Sequence, residues 1–131
     1  MNKIILDTNC YTAYLAGDPK ILQVLTEAKT TYMSIFVLGE LYAGFKGGTR
    51  ERENRSILRK FLNKPSVKVV NASIETADLF GMVKDMLKKS GRPIPVNDVW
   101  IAAHALECGA TLVTHDQHFL YIPGLRLWEN P

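Results

Sequence analysis

Lys3-Ile4-Ile5-Leu6-Asp7-Thr8-Asn9 decides how the rest of this chain is read. Its apolar run has no polar alternation, which fits a short strand buried on both faces. The polar turn at Thr8-Asn9 then leads into a helix-like segment from Tyr11 to Leu15. A doubly buried strand followed at once by a helix is the opening unit of a parallel sheet covered by helices.

The pattern repeats along the chain. Asp18-Pro19 supplies an N-cap and a first-turn proline for a helix carrying Ile21, Leu22 and Leu25, ending near Ala28. Thr31 to Ser34 reads as a second strand, and Ser34 caps a helix that runs through Glu40 to about Phe45 before Gly47-Gly48. A charged helix from about Arg50 to Leu62 packs through Ile57, Leu58, Phe61 and Leu62, and Val67 to Val70 makes a third strand. Ser73 caps a helix with Ile74, Ala77, Phe80, Val83 and Leu87 at three- and four-residue steps, stopping at Gly91. Arg92-Pro93-Ile94-Pro95 is a stiff extended loop that delivers Asn97 and Asp98 to a helix start. That helix reaches Gly109, the strand Ala110 to Thr114 follows, and a last short strand is expected near Leu125 to Trp128. The expected fold class is α/β, with a mostly parallel sheet covered on both faces and functional groups at the carboxyl ends of its strands.

With 131 residues, 47% hydrophobic and 22% charged, the chain has the size and balance of one globular domain spanning 1–131. No apolar run is long enough to span a membrane, and Met1-Asn2-Lys3 enters the first strand without a cleavable signal pattern, so a cytoplasmic location is expected. Cys10 and Cys108 lack metal-ligand spacing and read as buried thiols of a reducing compartment. The net charge of +3 permits a polyanionic partner without requiring one.

Four acidic residues in four separate segments concentrate the chemistry: Asp7 after the first strand, Glu40 in an apolar helix, Asp98 at a helix start and Asp116 after the last core strand. Each aspartate also has an ordinary reading, as an Asx turn, a helix N-cap or a turn former. Glu40 resists that reading, because Phe36, Val37, Ala43 and Gly44 surround it at helical spacing. Two carboxylates about 5 Å apart repel by about 3 kcal/mol even at an effective dielectric of about 20, so a cluster must hold protons or a cation. Carboxylates and hydroxyls suit magnesium or manganese, and a metal-activated water attacking a phosphodiester is the chemistry that follows. One or two ions satisfy this reading. Thr8, Asn9 and Thr114 can orient carboxylates or waters, and equally can satisfy turn backbone.

Four blocks in this order carry a resemblance. They are Ile5-Leu6-Asp7-Thr8-Asn9, Ser34 through Glu40-Leu41 and Gly44, Asn97-Asp98-Val99-Trp100-Ile101-Ala102-Ala103, and Thr114-His115-Asp116-Gln117-His118-Phe119. Together they resemble the PIN-domain ribonucleases, and within them the toxins of VapBC toxin–antitoxin pairs. The resemblance implies a three-layer α/β/α sandwich and magnesium- or manganese-dependent endonucleolytic cleavage of RNA. It also implies a homodimer inhibited by a cognate antitoxin protein. Asp7, Glu40, Asp98 and Asp116 then map onto the family's acidic metal-binding and catalytic positions, and Thr114 onto its polar position.

The remaining features weigh less. Arg50, Arg52, Arg55, Arg59 and Lys60 form a potential RNA-facing stripe, but Glu51 and Glu53 make a mixed-charge solvated helix the simpler reading. His104, His115 and His118 show no zinc spacing and stay outside the catalytic set, while His115 sits beside Asp116 within reach of substrate. Trp100 and Tyr42 read as packing or dimer-interface residues. Two other classes compete: an aspartyl-phosphate enzyme on a parallel sheet, disfavoured because Asn9 stands where a second aspartate is needed, and a non-catalytic RNA- or protein-binding module on the same fold.

Overall fold

Strand β1 (Lys3–Leu6) buries Ile4, Ile5 and Leu6 completely, as a strand covered on both faces must. The computed structural model describes residues 2–129. Helices α1 (Thr8–Leu15) and α2 (Pro19–Glu27) lead to β2 (Thr30–Ser34), and α3 (Ile35–Lys46) and α4 (Glu51–Leu62) lead to β3 (Val67–Val70). Then α5 (Ile74–Lys89) and α6 (Val96–Cys108) lead to β4 (Thr111–Val113), and a 3-10 helix covers Gln117–Tyr121. All strand pairs are parallel and the order is β3-β2-β1-β4. Right-handed crossovers place α1 to α4 over one face and α5 with α6 over the other, giving three α/β/α layers.

The sheet reverses its direction of growth beside β1: β2 lies on one side and β4 on the other, with Leu6 in register with Val113. Ligand sites in open parallel sheets form at such a switch point, outside the strand carboxyl ends. Asp7 and Thr114 are the residues that leave β1 and β4 there.

Several sequence expectations change in detail. Helix α1 begins at Thr8 rather than Tyr11, because the Asp7 carboxylate accepts the Cys10 N–H and caps the helix three residues earlier. Ile74 is 85% exposed rather than packed, since it is the first residue of α5 and precedes the turn that meets α6. The final strand shrinks to one parallel bridge between Leu112 and Leu127. Leu112 donates to the Arg126 carbonyl and accepts from the Trp128 N–H, and the three-residue β4 carries this pairing no further. The 3-10 helix was not legible, as five residues carry no periodic apolar signal. Among the described residues, no helix is long and apolar enough to cross a membrane.

A buried polar chain fixes α6 against the sheet. His104 lies 3.2 Å from the Asn71 carbonyl through Nε2, so Nε2 carries the proton and donates. Nδ1 is therefore the acceptor for the Ser34 hydroxyl at 2.8 Å, and Ser34 Oγ in turn accepts the Phe36 N–H that starts α3. Burial pushes His104 below its ordinary value, against weaker opposing effects of the Asn71 carbonyl and Glu107. The unfolded chain therefore takes up a proton that the folded chain refuses. Stability from this histidine is complete above about pH 6.5 and is lost as pH falls below it. Urea midpoints should hold from pH 8 to 7 and drop by pH 5, and His104→Gln should flatten the histidine part of that drop. An equal drop in the variant would contradict this account.

Candidate active site

Asp7 is only 4% exposed, yet both carboxylate oxygens are satisfied. Oδ1 accepts the Cys10 N–H at 2.8 Å and Oδ2 accepts the Thr114 hydroxyl. Thr114 Oγ1 also accepts the Asp116 N–H at 3.0 Å, so one hydroxyl joins two acidic residues across the switch point. Glu40 arrives from α3, which begins as soon as β2 ends, and its Oε1 accepts the Thr8 hydroxyl at 2.6 Å. Asp98 occupies the first turn of α6, where the helix dipole favours an anion. It is not the N-cap, a place taken by Pro95 without a side-chain bond.

Asp98 lies within electrostatic reach of the other three carboxylates. Burial raises the Asp98 carboxyl above its ordinary range, His118 opposes the rise, and Glu40, Asp116 and Asp7 reinforce it by repulsion. Asp98, Asp116 and His118 each point a ligand atom into a space where all three lie within 4.8 Å of one another. His118 Nε2 comes 3.0 Å from Asp98 Oδ2 but without the alignment of a hydrogen bond, leaving a buried nitrogen free of a directional partner. Two carboxylate oxygens and one imidazole nitrogen form a donor set that fits a divalent cation.

Three of the residues outside the quartet have settled places. Thr8 holds Glu40, Thr114 holds Asp7 and Asp116, and Asn9 is exposed and takes no part in this network among the described residues. His118, set aside on the sequence, stands in the cluster. Its signal was weak: it follows Asp116 by two residues, and only the tight 3-10 turn swings its ring back toward Asp98. The cysteines offer no nucleophile. Burial first and Asp7 second push the Cys10 thiol far up, and burial followed by Glu107 raises Cys108.

The other sequence candidates resolve into packing and surface charge. Trp100 stacks between Phe36 and Phe80, with ring centroids 4.8 and 3.9 Å away. Arg55 lies 4.4 Å over the Tyr42 ring, and within the basic stripe Arg50 pairs with Glu53 and Arg55 with Glu51, which also takes Lys46 of α3. Such exposed pairs add little stability.

The family model for the PIN domain matches residues 4–125. The chain belongs to the PIN domain family. A PIN domain of this length is also 32% identical over 132 residues to ribonuclease VapC1 of Haemophilus influenzae, covering 96% of each protein. It is 27% identical to the tRNA(fMet)-specific endonuclease VapC of Salmonella typhimurium, covering 97% of both. In three dimensions this PIN domain superposes on the VapBC2 structure of Rickettsia felis, bound to a DNA fragment from its promoter. The TM-score is 0.85 at 29% identity, covering 97% of this chain and 99% of that one. The whole chain is thus similar to VapC ribonucleases, and its four acidic residues lie where the PIN sheet switches direction.

Proposed function

We propose that this protein is a magnesium- or manganese-dependent endoribonuclease and the toxin of a type II toxin–antitoxin pair. Asp7, Glu40, Asp98 and Asp116 form the catalytic, ion-holding set. The observation that carries the reading is the cluster of Asp98, Asp116 and His118 beside the switch point, with Asp7 and Glu40 within its electrostatic reach and locked by threonine hydroxyls. So much negative charge repels a phosphodiester, and RNA can approach only once a cation neutralises it. When bound, the ion would supply Lewis-acid stabilisation of phosphate charge and a lowered pKa for water.

The chain's own residues do the rest. Asp98, Asp116 and His118 offer the converging donors. Asp7, held at both oxygens, keeps a fixed orientation beside them, which spares the reorganisation a free side chain would need during the reaction. Thr8 does the same for Glu40. Asn9, exposed at the start of α1, is assigned in this reading to orienting substrate rather than to holding the ion. The likeness to VapBC complexes supports a cognate antitoxin as protein partner, and a homodimer remains part of this reading.

Cleavage of a mixed pool of structured RNAs, tRNA included, tests it. Purified protein should cut with magnesium or manganese and stop cutting with chelator, and adding the neighbouring small reading frame's product should inhibit it. Folded protein that leaves every RNA intact under both metals would shift the reading to a binding module.

A further inference from the structure

A cavity of about 470 Å³ opens beside the acidic centre and shares Thr114 and Asp116 with it. Its other polar and aromatic wall comes from His115, Gln117, Trp128 and Glu129, with leucine side chains completing the surface. The His115 and Trp128 rings meet edge to face with centroids 5.6 Å apart. Trp128 is held in place by backbone, because its N–H donates to Leu112 at 2.9 Å and Leu127 bridges Leu112. The main chain that carries the indole is therefore fixed, and a ligand entering the cavity need not order it.

We infer that this cavity is a nucleobase subsite, which takes one unpaired base of the RNA next to the phosphate at the acidic centre. The inference rests on the nuclease reading of that centre and adds what the centre lacks, a means of choosing a sequence. A half-buried indole beside an imidazole offers a flat apolar surface, and unpaired bases bind proteins by stacking on such rings and bonding through their edges. Among the described residues no lysine or arginine lines the cavity, and Asp116 and Glu129 disfavour a phosphate there. Carboxylates accept N–H donors, so a base edge rich in donors is preferred: guanine, with its ring N–H and amino group, above uracil. Gln117 can both donate to and accept from the same edge. The volume exceeds that of one base and lies within the range of small-ligand sites, about 300–1,000 Å³.

The two tryptophans give the test an internal control, since Trp100 is enclosed between Phe36 and Phe80. Nitrogen-15-labelled protein in magnesium is titrated with guanosine monophosphate, uridine monophosphate and inorganic phosphate, following both indole N–H resonances. Guanosine monophosphate should move the Trp128 signal saturably, uridine monophosphate less, and phosphate not at all, with Trp100 unmoved. Trp128→Ala should weaken guanosine monophosphate binding about tenfold, the scale of one base–aromatic stack, while Trp128→Phe keeps most of it. In the RNA-pool assay, Trp128→Ala should also broaden the base preference beside the cut.

A Trp128 signal that ignores both nucleotides would overturn the inference and leave the cavity to a protein side chain. Phosphate reproducing the shift would overturn it equally. RNA cleavage with a silent Trp128 sinks the subsite and leaves the nuclease standing; a responsive Trp128 without cleavage in any RNA does the reverse.

Discussion

Asp98→Asn should abolish RNA cleavage and leave the protein at least as stable as before. The Asp98 carboxyl is raised by burial and by three neighbouring carboxylates, so its charged form is disfavoured in the folded state. At neutral pH it is nevertheless ionised in the unfolded chain, and holding that charge in the fold costs stability. A neutral amide of the same shape removes the cost. The gain should be present at pH 7 and shrink as pH falls toward the ordinary carboxylate range of about 4, because the folded residue takes up its proton before the unfolded one does. Cleavage behaves oppositely. On the proposed metal-dependent reading, losing one carboxylate of the ion-holding set removes several kcal/mol of transition-state stabilisation. At about 1.4 kcal/mol per tenfold, that lowers the rate at least about a thousandfold. Single-turnover cleavage beside urea unfolding at the two pH values checks both parts. A folded variant that still cuts would remove Asp98 from the catalytic set.

Asp7→Ala should cost both activity and stability, the largest structural penalty expected within the quartet. Its carboxylate caps α1 through the Cys10 N–H and accepts the buried Thr114 hydroxyl. Loss of the cap costs about 1 kcal/mol, and the stranded hydroxyl about 1–3 more. Relief of repulsion toward Asp98 offsets part of this, leaving a net loss of about 2–3 kcal/mol and a fall in Tm on the order of 10 °C. Asp7→Asn separates the two roles. Its amide oxygen still accepts from Cys10, but its NH₂ has no lone pair for Thr114, so stability should lie between native and alanine. Cleavage should vanish in both. Thermal unfolding that ranks asparagine below alanine would refute the capping account, and an active asparagine variant would refute the catalytic one.

The contrast between these two aspartates shows where sequence reading was sufficient. The strand and helix order was legible because Ile4-Ile5-Leu6, Val67 to Val70 and Leu112-Val113 are short apolar runs bounded by turn chemistry. Asp18-Pro19, Ser34 and Ser73 mark helix starts through local bonds that need no tertiary partner. The acidic quartet stood out as a candidate for a related reason: Asp7 and Asp116 follow strands, and an acidic residue amid the apolar helix around Glu40 conflicts with local packing.

Other features depend on contacts across the chain. The capping role of Asp7 was among its ordinary readings, but its bond to Thr114 spans 107 residues and cannot be read locally. His118 gained its place because a 3-10 turn reverses the chain after Asp116, and His104 found its partners in Ser34 and the Asn71 carbonyl. The cavity beside Asp116 exists because Leu112, in an edge strand with an open side, pairs with Arg126 and Trp128. Local signals thus gave the alternation of elements and the parallel sheet and singled out four acidic candidates, because period, turn chemistry and capping act within a few residues. Only the tertiary structure decided which oxygens are locked, which histidine joins them and where an aromatic wall stands, because those depend on distances between segments far apart in the chain.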